Sequence, residues 1–299
     1  MMDSSHSISP TQKNALHEAA VTLSASGIEQ PRLEAELLLA HVLDASKEDL
    51  ILHPGRELTD AQEKQFEPFI QRRCRREPLA YILGQREFWS LEFTVNPKVL
   101  IPRPETEGII EQLLKMAGTG ARDHAIHILD AGTGSGNLAV VAAVEFPLAR
   151  VTAVDCSADA LAVARENARK HRVADRIEFL QRDIMLPWNL PDTGGFDFIL
   201  SNPPYLSSQE MARLMPDVRD YEPSAALDGG PDGLACYRRI VPEACDHLKP
   251  GGGLILEVGD DQAGSVKKII QAHDGYYEIE IVQDLSGRGR VVSARRALG

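Results

Sequence analysis

The chain has 299 residues, 43% of them hydrophobic and 25% charged, with a formal charge of −12. That length and balance suit one large or two ordinary globular domains. The acidic excess, spread along the chain, argues against a nucleic-acid backbone as the main partner. Short apolar runs broken by charge argue against a membrane span, and four cysteines without CxxC spacing among nine scattered histidines argue against a structural metal.

The start, Met1-Met2-Asp3-Ser4-Ser5-His6, lacks the basic opening and apolar core of a secretory leader, so a cytoplasmic location is expected. Residues 1–85 read as a small helical bundle. Pro10, capped by Ser9, and Pro31 sit at first helical turns. Leu33, Leu37, Leu38 and Val42 keep helical spacing, and Phe66, Phe69 and Ile70 form a stripe in a segment starting near Thr59. The basic run Arg72-Arg73-Cys74-Arg75-Arg76 reads first as the solvated cationic end of that helix, and alternatively as a dock for an acidic protein surface. Over 86–99 the pattern turns aromatic and β-branched (Phe88, Trp89, Leu91, Phe93, Val95), which predicts a β-hairpin linker.

From residue 100 to 299 helical and strand-like segments alternate. Helices are expected at 104–117, 136–146, 158–171, 234–248 and 261–272. Strands are expected at 126–129, 151–154, 177–181, 196–200, 254–257, 277–282 and 290–294. Such alternation is an α/β fold with a mostly parallel sheet covered on both faces, and its ligands bind beyond the carboxyl ends of the strands.

The first of these strands runs into Asp130-Ala131-Gly132-Thr133-Gly134-Ser135-Gly136 and then a helix. Glycines at alternate positions let backbone pass close to a ligand. The spacing is not the Gly-x-Gly-x-x-Gly of a dinucleotide site, and Asp130 beside the turn disfavours a phosphate. An acid there suits a cationic ligand, and S-adenosylmethionine carries an ammonium and a sulfonium but no phosphate. The candidate turn contacts are Asp130, Gly132, Thr133, Gly134, Ser135 and Gly136. Asp155 ends the next strand, 25 residues after Asp130, where an acid can accept both ribose hydroxyls. Asp183 can accept from an adenine amino group, and Ile184 can pack on its ring.

After the strand at 196–200 comes Asn202-Pro203-Pro204-Tyr205. Prolines lack a backbone N–H, so this loop offers acceptors: the Asn202 side-chain oxygen and the Pro203 carbonyl before the second ring. Acceptors suit an NH2 group, and Tyr205 adds an aromatic face on which a planar amide or base could lie. These four residues are the candidate catalytic and substrate-binding group, and Asn202 is counted with the cofactor contacts as well.

The glycine turn, Asp155 and Asn-Pro-Pro-Tyr resemble the class I S-adenosylmethionine-dependent methyltransferases that modify planar nitrogens. More closely, the chain resembles the peptide chain release factor glutamine N5-methyltransferases, the HemK/PrmC family. The likeness runs through Glu77-Pro78-Leu79-Ala80-Tyr81-Ile82-Leu83-Gly84, Ile101-Pro102-Arg103-Pro104-Glu105-Thr106-Glu107, Tyr221-Glu222-Pro223, Gly229-Gly230-Pro231-Asp232-Gly233-Leu234 and Asp284-Leu285-Ser286-Gly287-Arg288. It implies a Rossmann-like methyltransferase domain with a seven-stranded sheet, preceded by a helical domain that holds the substrate. It also implies S-adenosylmethionine as cofactor and class 1 release factors as partners, with the glutamine of their Gly-Gly-Gln loop as the target. Neither metal nor direct nucleic-acid binding is expected. Rival readings are a ribosomal-protein glutamine methyltransferase, an adenine-N6 nucleic-acid methyltransferase, a dinucleotide-dependent oxidoreductase, and a non-catalytic binding module on the same fold.

Overall fold

The structure, a computed structural model, describes residues 11–191 and 194–298. Ser9 and Pro10, expected at a helix start, lie outside them. The described chain divides into two compact units, one of Met1–Gly84 with Pro216–Tyr221 and one of Gln85–Met215 with Glu222–Gly299.

The first unit is helical. Helix α1 (Gln12–Ala25) starts at Thr11, whose hydroxyl accepts from the Asn14 amide, and α2 (Pro31–Leu43) starts on Pro31. Two further helices open on capping boxes: α3 (Lys47–Leu52) on Ser46 and Asp49, and α4 (Asp60–Cys74) on Thr59 and Gln62. The short α5 (Leu79–Leu83) stops at Gly84. Leu16, Leu23, Leu38, Leu39, Phe66 and Ile70 are buried together as its core. Helices α3 and α5 go beyond the sequence expectation because each spans less than two turns and leaves no periodic stripe to read.

The basic run at the end of α4 is not a solvated patch. Arg73 is buried, paired with Glu34 and with Asp217 at 2.8 Å, while Arg76 reaches the other Asp217 oxygen at 2.5 Å and Arg72 holds Glu77 at 2.6 Å. The Tyr221 hydroxyl donates to the Arg75 carbonyl at 2.7 Å. Both the solvated-end reading and the docking reading of 72–76 are thereby corrected: three of its arginines are committed to carboxylates within the unit. Pro216–Tyr221 supplies one of those carboxylates, so the unit is not contiguous in sequence.

The second unit begins with an antiparallel hairpin, β1 (Gln85–Phe88) and β2 (Leu91–Thr94). Phe88 and Phe93 are buried in this unit's core, which corrects the expectation of a linker at 86–99. There follow α6 (Glu107–Ala117), β3 (His127–Ala131), α7 (Asn137–Glu145), β4 (Arg150–Asp155), α8 (Ala158–Lys170), β5 (Ile177–Gln181) and β6 (Phe196–Ser201). Two one-turn helices come next, α9 (Ser208–Met211) and, in the segment of the first unit, α10 (Pro216–Arg219). The chain closes with α11 (Ala235–His247), β7 (Leu248–Glu257), α12 (Ala263–Gln271), β8 (Tyr276–Gln283) and β9 (Gly289–Arg296).

Seven strands form one sheet in the order β5-β4-β3-β6-β7-β9-β8, all parallel except β9. Apolar side chains cover both faces, with Ile109, Ile110, Val140 and Val151 on one side and Tyr237, Ile240, Val266 and Ile270 on the other. From β3 the chain winds outward through β4 and β5, then returns to place β6 on β3's other side. A crevice must open where the direction reverses, at the carboxyl ends of β3 and β6. Those ends carry the glycine turn and Asn-Pro-Pro-Tyr. They are tied together by the Ser201 hydroxyl, which donates to the Ala131 carbonyl at 2.6 Å.

Candidate active site

A cavity of about 450 Å3 occupies that crevice, walled by Gly132, Thr133, Gly134, Ser135, Asp155 and Asn202 among others. Every residue on its wall belongs to the second unit.

The glycine turn is held from behind. Asp130 is fully buried; its Oδ2 accepts from the Thr133 hydroxyl at 2.6 Å and the Ala139 amide at 3.1 Å. Its Oδ1 has no hydrogen-bond partner among the described residues. Burial lifts its carboxyl to about 7, with the charge of Asp155 adding to the rise. Asp130 therefore does not line the cavity, a correction to its expected place on the ligand wall: it braces the turn and keeps one unsatisfied acceptor. Gly136 is also off the wall. It has φ of +81°, and a Cβ there would meet the Ala164 Cβ at 2.9 Å, so this glycine serves the packing of α7 on α8. This corrects the expectation that Gly136 contacts the ligand.

Asp155 lies on the wall at the end of β4. Its Oδ2 accepts from the Gly134 amide and its Oδ1 from the Ser157 amide, both at 2.9 Å. Each oxygen keeps a second lone pair, enough for a pair of vicinal hydroxyls. Asp183 and Ile184 also line the cavity, and Asp183 Oδ1 accepts from the Met185 amide at 2.8 Å.

Of the Asn-Pro-Pro-Tyr loop, Asn202 and Pro204 face the cavity, whereas Pro203 is buried and Tyr205 is off the wall. The expected stacking face is thus corrected: the Tyr205 ring packs into the core beneath α11, and its hydroxyl points to Glu257 Oε1 at 3.4 Å. The loop's exit is pinned by the Gly-Gly-x-Asp-Gly-Leu string. Gly229 donates to the Leu206 carbonyl at 2.8 Å, and a Cβ on Gly229 would fall 2.7 Å from Tyr205 Cα, so only glycine fits there. Gln262 Nε2 donates to the Tyr205 carbonyl at 2.8 Å.

Several wall residues carry no readable role in the sequence. The Pro-Arg-Pro-Glu-Thr-Glu and Tyr-Glu-Pro strings meet here, because Arg103 pairs with the buried Glu222, which also accepts from the Ile101 amide at 3.1 Å. Lys98, the other cation on the wall, is paired with Asp159 at 3.1 Å. Thr106 accepts from Asn202 Nδ2 at 3.1 Å. The strings themselves marked these positions, but nothing local told which would meet.

The donor set fits S-adenosylmethionine. Asp155 and Asp183 line the wall, Asp130 holds an orphaned acceptor behind it, and both wall cations are engaged by acids. That charge pattern favours a cationic ligand over a phosphate. Among the described residues no cluster could hold a metal ion, and no helix is long and apolar enough to cross a membrane.

Comparison with known proteins agrees with this geometry. The family profile of the PrmC N-terminal domain matches residues 14–84, and a methyltransferase-domain profile matches residues 122–291. The chain is 40% identical to the release factor glutamine methyltransferase of Koribacter versatilis, over 96% of this chain and 99% of that one. It is 42% identical to that of Moorella thermoacetica, over the same shares. Among solved structures, the hMettl16 catalytic domain in complex with the MAT2A 3'UTR hairpin 6 aligns at a TM-score of 0.54 with 16% identity, covering 74% of this chain and 80% of that one. A methyltransferase from Pyrococcus furiosus aligns at 0.50 with 20% identity, covering 70% and 91%. Those two likenesses are of fold alone.

Proposed function

Starting from the fact that this chain belongs to the release factor glutamine methyltransferase family, we propose that its Asn202 loop holds the target glutamine amide for methylation. The protein is an S-adenosylmethionine-dependent enzyme that methylates the side-chain amide nitrogen of a glutamine in a release factor. The finer reading is that the glutamine is that of the Gly-Gly-Gln loop of class 1 release factors.

When bound, S-adenosylmethionine supplies an electrophilic methyl group on a sulfonium. Asp155 would hold the ribose hydroxyls, Asp183 and Ile184 the adenine, and Gly132, Thr133, Gly134 and Ser135 the amino-acid end, with Asp130 bracing them. An amide nitrogen is a poor nucleophile because its lone pair is delocalised. Asn202 Oδ1 would accept one amide hydrogen from the cavity wall, fix the plane of the amide and favour localisation of that lone pair; Pro203, the expected second acceptor, is buried off that wall. Positioning and preorganised dipoles carry the step rather than a strong base, and one amide hydrogen leaves as a proton to water once the nitrogen has taken the methyl group. Tyr205 acts by shaping the loop.

The observation that carries this reading is the juxtaposition of the glycine turn and Asn202 on one cavity at the switch between β3 and β6. The helical unit, residues 1–84 with 216–221, would grip the release factor. It carries an open groove of about 500 Å3 along α1 and α4, with Glu18, Glu63 and Glu67 among its walls. The cytoplasm is the expected setting, since translation takes place there. Transfer of a labelled methyl group across a panel tests the assignment: a class 1 release factor should take label, whereas a ribosomal protein and an adenine-containing oligonucleotide should not. Labelling of the oligonucleotide alone would move the enzyme to the nucleic-acid class.

A further inference from the structure

Asn202 presents a chemical ambiguity that the cavity wall alone does not resolve. Its amide has one accepting and one donating end, of nearly equal size, and only the oxygen can receive a hydrogen from a glutamine NH2. Something must decide which end faces the cavity. The structure supplies it behind the loop. Asn202 Nδ2 donates to Thr106 Oγ1 at 3.1 Å. Thr106 is 1% exposed, at the end of the Pro104–Thr106 turn that leads into α6. A threonine hydroxyl that accepts there has its own hydrogen to place elsewhere.

Glu257 is the candidate acceptor. It ends β7, beside the end of β6, where Ser201 pairs with Leu256. Glu257 is 1% exposed, and its Oε2 has no hydrogen-bond partner among the described residues. The Thr106 hydroxyl acts on this carboxylate and stabilises its charge, as do Arg290 from β9 and the Tyr205 hydroxyl, while burial and Glu105 oppose it. Tyr205 Oη lies 3.4 Å from Glu257 Oε1, and the Tyr237 hydroxyl from α11 donates to the Glu257 backbone carbonyl at 2.9 Å. A buried acid with an orphaned oxygen is costly to keep.

We propose that Glu257 and Thr106 are positioning residues: the carboxylate takes the Thr106 hydrogen, the Thr106 oxygen takes the Asn202 NH2, and Asn202 is left with only its Oδ1 for the target amide. The relay polarises in one direction, and each bond fixes the next. It rests on the reading of Asn202 as the amide acceptor, and it assigns the selection of that acceptor to two residues outside the loop. With Thr106 lost, the Asn202 amide is free to flip and offer a donor to a donor.

The test compares Thr106→Val, Thr106→Ser and Glu257→Gln with wild type, alone and in an Asn202→Ala background. Intact release factor is the methyl acceptor, and cofactor affinity is measured by calorimetry. Thr106→Val should lower kcat about 10- to 100-fold, the range for one buried partner left unsatisfied, with cofactor affinity held within about threefold. Thr106→Ser, which keeps the hydroxyl, should recover most of that loss. Glu257→Gln should also lower kcat, because a side-chain NH2 can donate to Thr106 and reverse the relay. In the Asn202→Ala background the Thr106→Val effect should vanish. A Thr106→Val loss that serine does not rescue, that persists without Asn202, or that falls on cofactor affinity would overturn the relay while leaving the Asn202 reading intact. Full activity of Asn202→Ala by itself would instead remove the reading beneath it.

Discussion

Asp155→Ala separates the cofactor assignment from the fold. In the free protein the Asp155 carboxylate accepts two backbone amides, from Gly134 and Ser157, each at 2.9 Å. Those amides belong to residues on the cavity wall, where water can replace the lost acceptor, so the cost to stability stays near 1 kcal/mol per bond. Ligand binding loses more. Two ribose hydroxyls donating to a charged acceptor are worth about 1.5 to 3 kcal/mol in all, which weakens affinity roughly 10- to 150-fold. Titration calorimetry with S-adenosylmethionine and with S-adenosylhomocysteine reads that loss, after circular dichroism has checked the fold. A 2'-deoxy analogue of S-adenosylhomocysteine sharpens the result: wild type should discriminate against it, and Asp155→Ala should not. Unchanged affinity in a folded variant, or undiminished discrimination between the ribose and deoxyribose ligands, would refute the assignment of Asp155 to the hydroxyls.

Asn202→Ala should lower turnover about 100- to 1,000-fold, the usual scale for one preorganised partner at the reacting atom, and leave cofactor affinity nearly intact; full turnover would dismiss the amide-holding role. Gly136→Ala combines a left-handed φ of +81° with a Cβ 2.9 Å from that of Ala164, and should cost about 2 to 5 kcal/mol in urea unfolding. A change under about 1 kcal/mol would mean that α7 and α8 can shift apart, contrary to their close packing. The carboxyls of Asp130 and Glu257 are both raised to about 7 by burial, from ordinary values of 3.8 and 4.5. Their folded pKa values exceed the unfolded ones, so the native chain holds extra protons in between. Their contribution to stability is complete below about pH 4 and is lost as pH rises through about 7. The thermal midpoint of Asp130→Asn should fall less than that of wild type over this window; parallel profiles would show that Asp130 does not carry the effect.

The parts of the site that were legible in the sequence are those whose chemistry is local. A strand, an acid and alternate glycines define the turn at 130–136 within seven residues, and two prolines after Asn202 define an acceptor loop in four. The alternation of segments from residue 100 onward was sufficient for the sheet. Long-range pairings were not legible, because nothing in a string of residues announces its partner. The Arg73 contacts span 39 and 144 residues, to Glu34 and Asp217, so a buried ion-pair cluster looked like a cationic helix end. Arg103 and Glu222 lie 119 residues apart, and each alone reads as an ordinary loop charge. Asp130 and Gly136 sat within a correctly read motif yet off the cavity, since a strand alternates its faces and a turn has an inside. Which side each residue takes depends on the helices packed against it.

Locating the methyl group on the product tests the central claim most directly. A class 1 release factor incubated with this enzyme and isotopically labelled S-adenosylmethionine, then digested and fragmented by mass spectrometry, should carry one labelled methyl group. That group should sit on the side-chain nitrogen of the glutamine in its Gly-Gly-Gln loop, and Asn202→Ala should reduce it to near background. Label on any other residue of the release factor, or an unlabelled loop in the presence of an enzyme that binds cofactor normally, would contradict the account.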